Sequence, residues 1–231
     1  MTSAGPRRAA FFDVDETLIA VKSIFRFLEF QLAAQGRPPE EYLRAEQELR
    51  ARAVAGAPRE EVNRAYFRLF AGLDEAETAA HGVRWFEAEC EQGELFHPPV
   101  LDAFRRHTAA GDRTVLVSGS FPACLDPLAR YLEAGAVLCS RPEVRHGRYT
   151  GEILQPMIGA AKAAAVQADA AAHGIDLLDC YAYGDHISDL PVLGVVGAPV
   201  VVGDDPVLTD HAIRHGWTQL PTSVPLLTLR T

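Results

Sequence analysis

The feature that most constrains the fold is an apolar run, Ala9 to Phe12, that stops at two carboxylates one residue apart, Asp13 and Asp15. Four consecutive apolar residues suit a short β-strand that is covered on both faces. Acidic side chains at positions i and i+2 of a strand point to the same side. A core gains nothing from them, so we expect both at the carboxyl end of the strand, where they can bind a cation and a substrate.

Two later strands are also predicted to end in polar residues, at Ser118-Gly119-Ser120 and at Gly184-Asp185. Beyond residue 96, strands predicted at 114–117, 136–139, 180–183 and 198–202 alternate with helices predicted at 98–107, 122–132, 160–172, 188–195 and 210–215. Such alternation predicts an α/β fold, a Rossmann-like parallel sheet sandwiched by helices. Reactive residues of such sheets collect beyond the carboxyl ends of the strands.

Residues 22–90 have a different character, because they favour helices throughout. Val62, Tyr66, Leu69 and Phe70, for example, follow the i, i+4, i+7, i+8 spacing of one helix face. The stretch is far longer than a crossover between parallel strands requires. We therefore predict an inserted all-helical cap domain at 22–90 and an α/β core domain formed by 1–21 and 91–231.

Composition excludes several functions. The 231 residues are 48% hydrophobic and carry a formal net charge of −9, which disfavours nucleic acid as a partner. A small phosphorylated metabolite needs only a few local cations and remains a plausible partner. The short polar N-terminus and the lack of a run of about 18 apolar residues favour a soluble cytoplasmic protein with no membrane partner. The four cysteines form no C-x-x-C pair and are expected to be reduced.

Asp13 and Asp15 suggest phosphoryl chemistry. A carboxylate at Asp13 can attack phosphorus as a nucleophile, and Asp15 can act as general acid and base. Two acids so close to a phosphate dianion would repel it, so a divalent cation is required, and oxygen ligands indicate Mg²⁺. The same spacing also fits two solvated acids at a strand-to-loop turn.

Four further residues are candidates for the same site. Asp185 follows a strand and can reach a cation at Asp13. Asp189, at the start of a helix, is expected both to favour the helix dipole and to support that cation. Ser118, with the backbone N–H groups of Gly119 and Ser120, suits phosphate oxygens, although a serine here is also an ordinary helix cap. Lys162 can balance the charge of a phosphate, although a lone helical lysine is usually solvated.

Together these motifs resemble the haloacid dehalogenase-like (HAD) superfamily of aspartate-nucleophile phosphohydrolases. The first motif is Asp13-Val14-Asp15-Glu16-Thr17, and the other three follow in order at Ser118, Lys162 and Gly184-Asp185 with Asp189. The helical insert and Asp189-Leu190-Pro191-Val192-Leu193 are similar to the phosphoserine-phosphatase-like branch, subfamily IB.

The resemblance implies a role for each motif. Asp13 would be the nucleophile and Asp15 the acid/base. Mg²⁺ would be held by Asp13, the backbone carbonyl of Asp15 and Asp185, with support from Asp189. Ser118 and Lys162 would hold the phosphate.

Three residues depart from the family pattern. Glu16 replaces a small residue, and Lys22 replaces a glutamate that meets the substrate amine in that branch. Because a lysine cannot pair with an ammonium group, phosphoserine is disfavoured as substrate. Lys22 is either a contact for an anionic substrate or a solvated lysine. His186 stands where small residues are common in that family, and it is a possible substrate contact.

The expected function is a Mg²⁺-dependent phosphatase that hydrolyses a small-molecule phosphate monoester through an aspartyl-phosphate intermediate. A phosphomutase or phosphotransferase would use the same intermediate, and a non-catalytic binding protein is the alternative from another class. The arginines that could contact substrate from the helical stretch are left open: Arg26, Arg44, Arg64 and Arg68.

Overall fold

The computed structural model describes residues 5–223. Its centre is a six-stranded sheet in which all neighbouring pairs are parallel, in the order β3-β2-β1-β6-β7-β8. The strands are β1 (Ala9–Phe12), β2 (Arg113–Ser118), β3 (Ala136–Cys139), β6 (Tyr181–Gly184), β7 (Ala198–Val202) and β8 (Thr218–Leu220). A separate hairpin pairs β4 (Arg141–Arg145) with β5 (Arg148–Gln155). The predicted α/β fold is confirmed, with the strand expected at 180–183 shifted by one residue.

Nine α-helices accompany the strands within residues 5–223. They are α1 (Ser23–Ala34), α2 (Pro39–Val54), α3 (Arg59–Arg68), α4 (Glu75–Glu91), α5 (Pro98–Ala109), α6 (Pro122–Leu132), α7 (Ala160–Ala172), α8 (Leu190–Leu193) and α9 (Pro206–His215). None of these helices is long and apolar enough to cross a membrane.

Two helix predictions near the C-terminus are wrong in extent. The helix expected at 188–195 is a 3₁₀ turn, Ile187–Asp189, followed by the single turn α8. Pro191 lies in the first turn of α8, and the helix ends before Gly194. The helix expected at 210–215 begins earlier, at Pro206, because the Asp205 side chain accepts a hydrogen bond from the Leu208 N–H and caps it.

The sheet is buried on both faces, as a parallel sheet requires. Alternate residues of β1 face opposite sides, so Ala10 and Phe12 join one apolar cluster while Ala9 and Phe11 join the other. The second cluster contains residues of α7, α8 and α9. β1 therefore lies in the middle of the core, and its carboxyl end is held firmly in place.

The four helices α1–α4, here called the α1–α4 segment, contribute to the first apolar cluster and pack against α6 and the β4–β5 hairpin. Phe121 lies at the centre of this contact, with its ring centroid 5.7 Å from Phe27, 5.2 Å from Phe67 and 5.3 Å from Phe70. Because Phe121 directly follows Ser118-Gly119-Ser120, the same packing places the α1–α4 segment against the polar end of β2.

The β4–β5 hairpin packs against α3. His146 and Gly147 both have positive φ, 52° and 75°, as a two-residue hairpin turn requires. The Arg64 guanidinium donates to the Ile153 carbonyl at 3.2 Å, which ties α3 to β5.

Candidate functional site

The neighbouring strands β1 and β6 bring the two acidic motifs together. Phe12 pairs with Tyr183 in the sheet, and the Asp13 N–H continues the pairing by donating to the Tyr183 carbonyl at 3.0 Å. Asp13, Asp185 and Asp189 each offer a carboxylate oxygen, and these oxygens lie within 4.8 Å of one another. We call these three residues the carboxylate cluster.

Lys162 connects two members of the carboxylate cluster. Its Nζ lies 2.5 Å from Asp13 Oδ1 and 2.7 Å from Asp189 Oδ1. The lysine is 6% exposed and comes from the first turn of α7, just after Gly159. The structure thus places Lys162 inside the site and not on a solvated helix face.

Gly184 lets Asp189 approach the cluster. A Cβ at residue 184 would lie 2.7 Å from the Asp189 Cβ and 3.1 Å from Asp189 Oδ2, closer than real contacts allow. Asp189 itself is 3% exposed, and its Oδ2 accepts a hydrogen bond from the His186 N–H at 3.3 Å. The glycine before Asp185 is therefore required by packing.

Thr17 is a site residue to which sequence reasoning assigned no role. The side chain is fully buried, and Oγ1 lies 2.5 Å from Asp185 Oδ1 and 3.2 Å from Asp13 Oδ2. The tight turn in which the Leu18 N–H donates to the Val14 carbonyl returns Thr17 to Asp13. The sequence signal that could have identified Thr17 is its position four residues after Asp13, within the first motif.

Asp15 lies beside the carboxylate cluster and is held from the α1–α4 segment. Its Oδ1 accepts a hydrogen bond of 2.9 Å from the Ser23 N–H at the start of α1. The Ser23 hydroxyl in turn donates to Ser120 Oγ at 2.8 Å. This chain of contacts fixes Asp15 relative to the loop after β2.

Burial and mutual repulsion set the charges of the site. Burial raises the pKa of Asp13 to about 8, with Asp189 and Asp185 adding to the rise and Lys162 opposing it. Burial also raises the pKa of Asp15 to about 6, against the hydrogen bonds from Ser23, and it raises the pKa of Asp185. Burial lowers the pKa of Lys162, but Asp13 and Asp189 outweigh it and hold that pKa above its ordinary value.

The loop after β2 brings Ser118 and Gly119 to the cavity wall. Ser118 is buried, and its Oγ accepts the Ser120 N–H at 3.0 Å, which leaves the Ser118 O–H to donate elsewhere. The Ser120 N–H is thus engaged by Ser118, and its contact with a phosphate stays a prediction. Asn63 of α3 steadies the loop by donating its side-chain N–H to the Gly119 carbonyl at 3.0 Å.

Glu16 occupies a strained position between the two motif residues. Its φ is 64°, in the left-handed region where a side chain costs about 1 kcal/mol relative to glycine. The turn needs this backbone conformation, which gives a physical reason for a small residue there. The Glu16 carboxylate forms an ion pair with Lys22 at 3.1 Å, and both side chains are about half exposed.

His186 is held between the core and the α1–α4 segment. Its Nδ1 lies 2.7 Å from Arg59 Nη1 and 3.0 Å from the Ser188 N–H. Both neighbours can only donate, so Nδ1 is the acceptor and the proton of the neutral ring lies on Nε2. Burial lowers the pKa of His186, and Arg59 lowers it further.

All of the sequence-predicted site residues line one cavity of ≈ 530 Å³ between the sheet edge and the α1–α4 segment: Asp13, Asp15, Lys22, Ser118, Gly119, Lys162, Asp185, His186 and Asp189. None of the four arginines left open by the sequence is among its lining residues. Arg26, for example, pairs with Glu89 at 2.9 Å. The arginines that do line the cavity are Arg50 and Arg59, which the sequence did not single out.

Comparison with known proteins agrees with this geometry. The model of the haloacid dehalogenase-like hydrolase family matches residues 10–194. The chain belongs to that family. It is 33% identical over 231 residues to a probable phosphatase of Mycobacterium tuberculosis, covering 97% of this chain and 79% of the relative.

Two solved structures are similar over most of the chain. A protein of unknown function from Bordetella pertussis has a TM-score of 0.83 and 31% identity, covering 94% of this chain and 99% of the other. A phosphoserine phosphatase with a phospho-aspartyl intermediate analogue has a TM-score of 0.63, 19% identity and coverage of 89% and 90%, which shows a shared fold. The predicted family is confirmed, and the enzyme class is that of a phosphoric monoester hydrolase.

Proposed function

We propose that this protein hydrolyses a small-molecule phosphate monoester through an aspartyl-phosphate formed on Asp13. The observation that carries the proposal is the contact of Lys162 with Asp13 and Asp189 at the carboxyl ends of β1 and β6, inside a cavity. Burying a lysine with three carboxylates costs folding free energy. Such clusters of buried charge are typical of functional sites.

In the first half of the proposed reaction, an Asp13 oxygen attacks the phosphorus and forms a new P–O bond. The ester P–O bond breaks, and its electron pair stays on the alcohol oxygen. Asp15 gives that oxygen its proton, so the product leaves as a neutral alcohol. Lys162, the Ser118 hydroxyl and the Gly119 N–H balance the charge on the phosphoryl oxygens.

In the second half, Asp15 is a carboxylate and takes a proton from a water molecule. The water oxygen attacks phosphorus, and the bond from phosphorus to Asp13 breaks. Inorganic phosphate leaves, with Asp13 ionised and Asp15 protonated again. Splitting one displacement into two in this way is the purpose of a covalent nucleophile.

The residues of the site fit a divalent cation. Three carboxylates face one lysine, so negative charge is in excess there. Burial raises the pKa of Asp13 and of Asp185, and the neighbouring carboxylates add to the rise. Hard oxygen donors beside a phosphate favour Mg²⁺, with Asp13, the Asp15 backbone carbonyl and Asp185 as its holders. When bound, the ion would neutralise phosphate charge. Asp189 would support it by holding Lys162.

We further propose that residues 22–90 act as a cap domain over a core made of 1–21 and 91–231. The support is that α1, α2 and α3 all contribute residues to the cavity wall opposite the carboxylate cluster. The cap would then select the substrate, a small phosphorylated metabolite, while the core carries out the reaction.

The test is hydrolysis of p-nitrophenyl phosphate by the wild type and by Asp13→Asn, each with Mg²⁺ and with a chelator. Loss of the nucleophile should lower kcat at least about a thousandfold, and the chelator should abolish wild-type turnover. Equal activity of the two proteins would rule out the mechanism. Adding glycerol as acceptor identifies a phosphotransferase, which would release glycerol phosphate in place of inorganic phosphate.

Metal binding also has a readout that does not depend on turnover. Mg²⁺ should raise the melting temperature of the wild type, because a ligand of the folded state stabilises it. Asp185→Asn should lose most of that increase. The matched control is Asp210→Asn, which removes an exposed acid on α9 and should keep it.

A further inference from the structure

The cavity is larger than the reaction requires. At ≈ 530 Å³ it is within the size range of pockets that enclose a whole small ligand, and it extends from the carboxylate cluster to α2. Phe25, Leu49, Val54 and Val62 line its outer part. An alcohol of two or three carbons would leave most of these walls uncovered, so the walls suit a bulky and largely apolar alcohol.

The charged groups of the outer cavity are not balanced. Three cations line it, Lys22, Arg50 and Arg59. Lys22 is paired with Glu16 at 3.1 Å, and Arg50 is paired with Glu46 at 2.7 Å. Arg59, by contrast, has no carboxylate within ion-pair distance among residues 5–223, and its neighbour is the His186 imidazole, which carries no negative charge.

His186 gives Arg59 a fixed position without neutralising it. The contact at 2.7 Å uses Nη1 of the guanidinium, and the Ser188 N–H donates to the same Nδ1 atom of the ring. The remaining donors of the guanidinium are suited to an oxyanion in a forked geometry. Because His186 directly follows Asp185, this positive group lies close to the site of the reaction.

We propose that Arg59 is a specificity-determining residue that binds a second oxyanion on the substrate, a carboxylate or a phosphate. The inference rests on the proposed phosphatase function and deepens it. The substrate class is then a phosphate monoester of a bulky alcohol that carries another acidic group. A substrate with an ammonium group in that position would be repelled by the same arginine.

The experiment compares two nearly isosteric esters with the same type of leaving group, 4-(carboxymethyl)phenyl phosphate and 4-(carbamoylmethyl)phenyl phosphate, together with their meta isomers. For one isomer at least, the wild type should prefer the carboxylate over the amide about fivefold or more in kcat/KM, mainly through KM. 4-(Phosphonomethyl)phenyl phosphate tests whether the second oxyanion is better as a phosphate.

The decisive quantity is the carboxylate-to-amide ratio, which cancels any general loss of activity. Arg59→Gln should bring the ratio to about one. Arg52→Gln is the matched control, since it removes an exposed cation of α2 that does not line the cavity. A wild-type ratio near one in both isomers, or a ratio that survives Arg59→Gln, overturns the proposal.

The two proposals can fail separately. Hydrolysis of both esters that depends on Asp13 but shows no preference leaves the phosphatase function intact and overturns the role of Arg59. If neither ester is hydrolysed, the proposed function fails, and binding of the same pair to Asp13→Asn by calorimetry decides the role of Arg59. Weaker binding of the carboxylate than of the amide would overturn it.

Discussion

The inner and outer parts of the cavity are built in different ways. In the inner part, Asp13, Lys162 and Asp189 are nearly buried, and the Lys162 Nζ contacts Asp13 at 2.5 Å and Asp189 at 2.7 Å. In the outer part, Lys22 is about half exposed and Arg59 lies at the surface. Inner side chains are fixed by the ends of core strands, whereas outer ones depend on how α1–α3 pack over them.

We expect the inner part to determine the rate of the reaction and the outer part to determine which esters are preferred. A change in the inner part should alter the rate for every ester, because it moves groups that contact phosphate. A change in the outer part should alter the order of preference among esters and leave the reaction in place. The variants below test that separation at different points.

The largest effect is expected from Gly184→Ala. The new Cβ would lie 2.7 Å from the Asp189 Cβ, so Asp189 must move and Lys162 must follow. A small displacement of groups that position a substrate slows the reaction strongly. We therefore expect kcat to fall by about ten- to a hundredfold for all esters alike. Steady-state kinetics on an aryl and an alkyl phosphate measure the loss.

Gly119→Ala is the comparison for that variant. Its new Cβ would meet Ile158 Cγ1 at 3.4 Å, an ordinary contact with a flexible side chain. The loss should be a few-fold only. If the two glycine variants lose the same activity, the close approach of Asp189 to Gly184 has no special importance.

A smaller effect concerns pH. In the proposed mechanism Asp15 must be protonated to serve the leaving alcohol, and its pKa of about 6 means that this form declines as the pH rises above 6. Asp13 must be ionised, and because its pKa is about 8 its ionisation raises kcat/KM for every ester over the same range. Relative to p-nitrophenyl phosphate, whose leaving group needs no proton, kcat/KM for an alkyl phosphate should therefore fall up to about tenfold per pH unit.

The ratio of kcat/KM for the alkyl phosphate to kcat/KM for p-nitrophenyl phosphate reports on Asp15, because titration of Asp13 affects both substrates equally. The ratio of alkyl to p-nitrophenyl activity should fall with pH in the wild type and be flat in Asp15→Asn. A ratio that does not change with pH in the wild type would remove Asp15 from the role of general acid.

The smallest effect is expected from Lys22→Ala. Glu16 already neutralises this lysine, so its loss should change KM for the carboxylate ester by less than about twofold. Inhibition by the carboxymethylphenol that this ester releases is a second measurement of the same contact. A rise in KM as large as that of Arg59→Gln would transfer the anion site to Lys22.

The inner part of the site was predictable from the sequence because backbone topology decides it. Apolar runs that end in Asp13, Ser118 and Asp185 already imply that these residues meet at one edge of a parallel sheet. Lys162 needed the family resemblance, since an alanine-rich helix alone gives no reason to bury a lysine. Thr17 was visible in the motif, but its contact with Asp185 depends on a turn that the sequence does not specify.

The arginines of the outer part were not predictable, because helix spacing does not say which face looks into a cavity. Arg26, Arg44, Arg64 and Arg68 were as plausible as Arg50 and Arg59 until α2 and α3 were placed. Arg64, for instance, lies only five residues from Arg59 and contacts the Ile153 carbonyl of the hairpin. Such choices depend on contacts between distant segments, which local periodicity cannot report.

Residue 16 couples the strain of the turn to the charge at the entrance of the cavity. A glycine there would relieve the left-handed backbone strain, but it would also free Lys22 from its ion pair. One substitution would thus relax the turn and place a second unpaired cation at the entrance of the cavity. Folding stability and the attraction of anionic ligands should therefore change together in any variant of this residue.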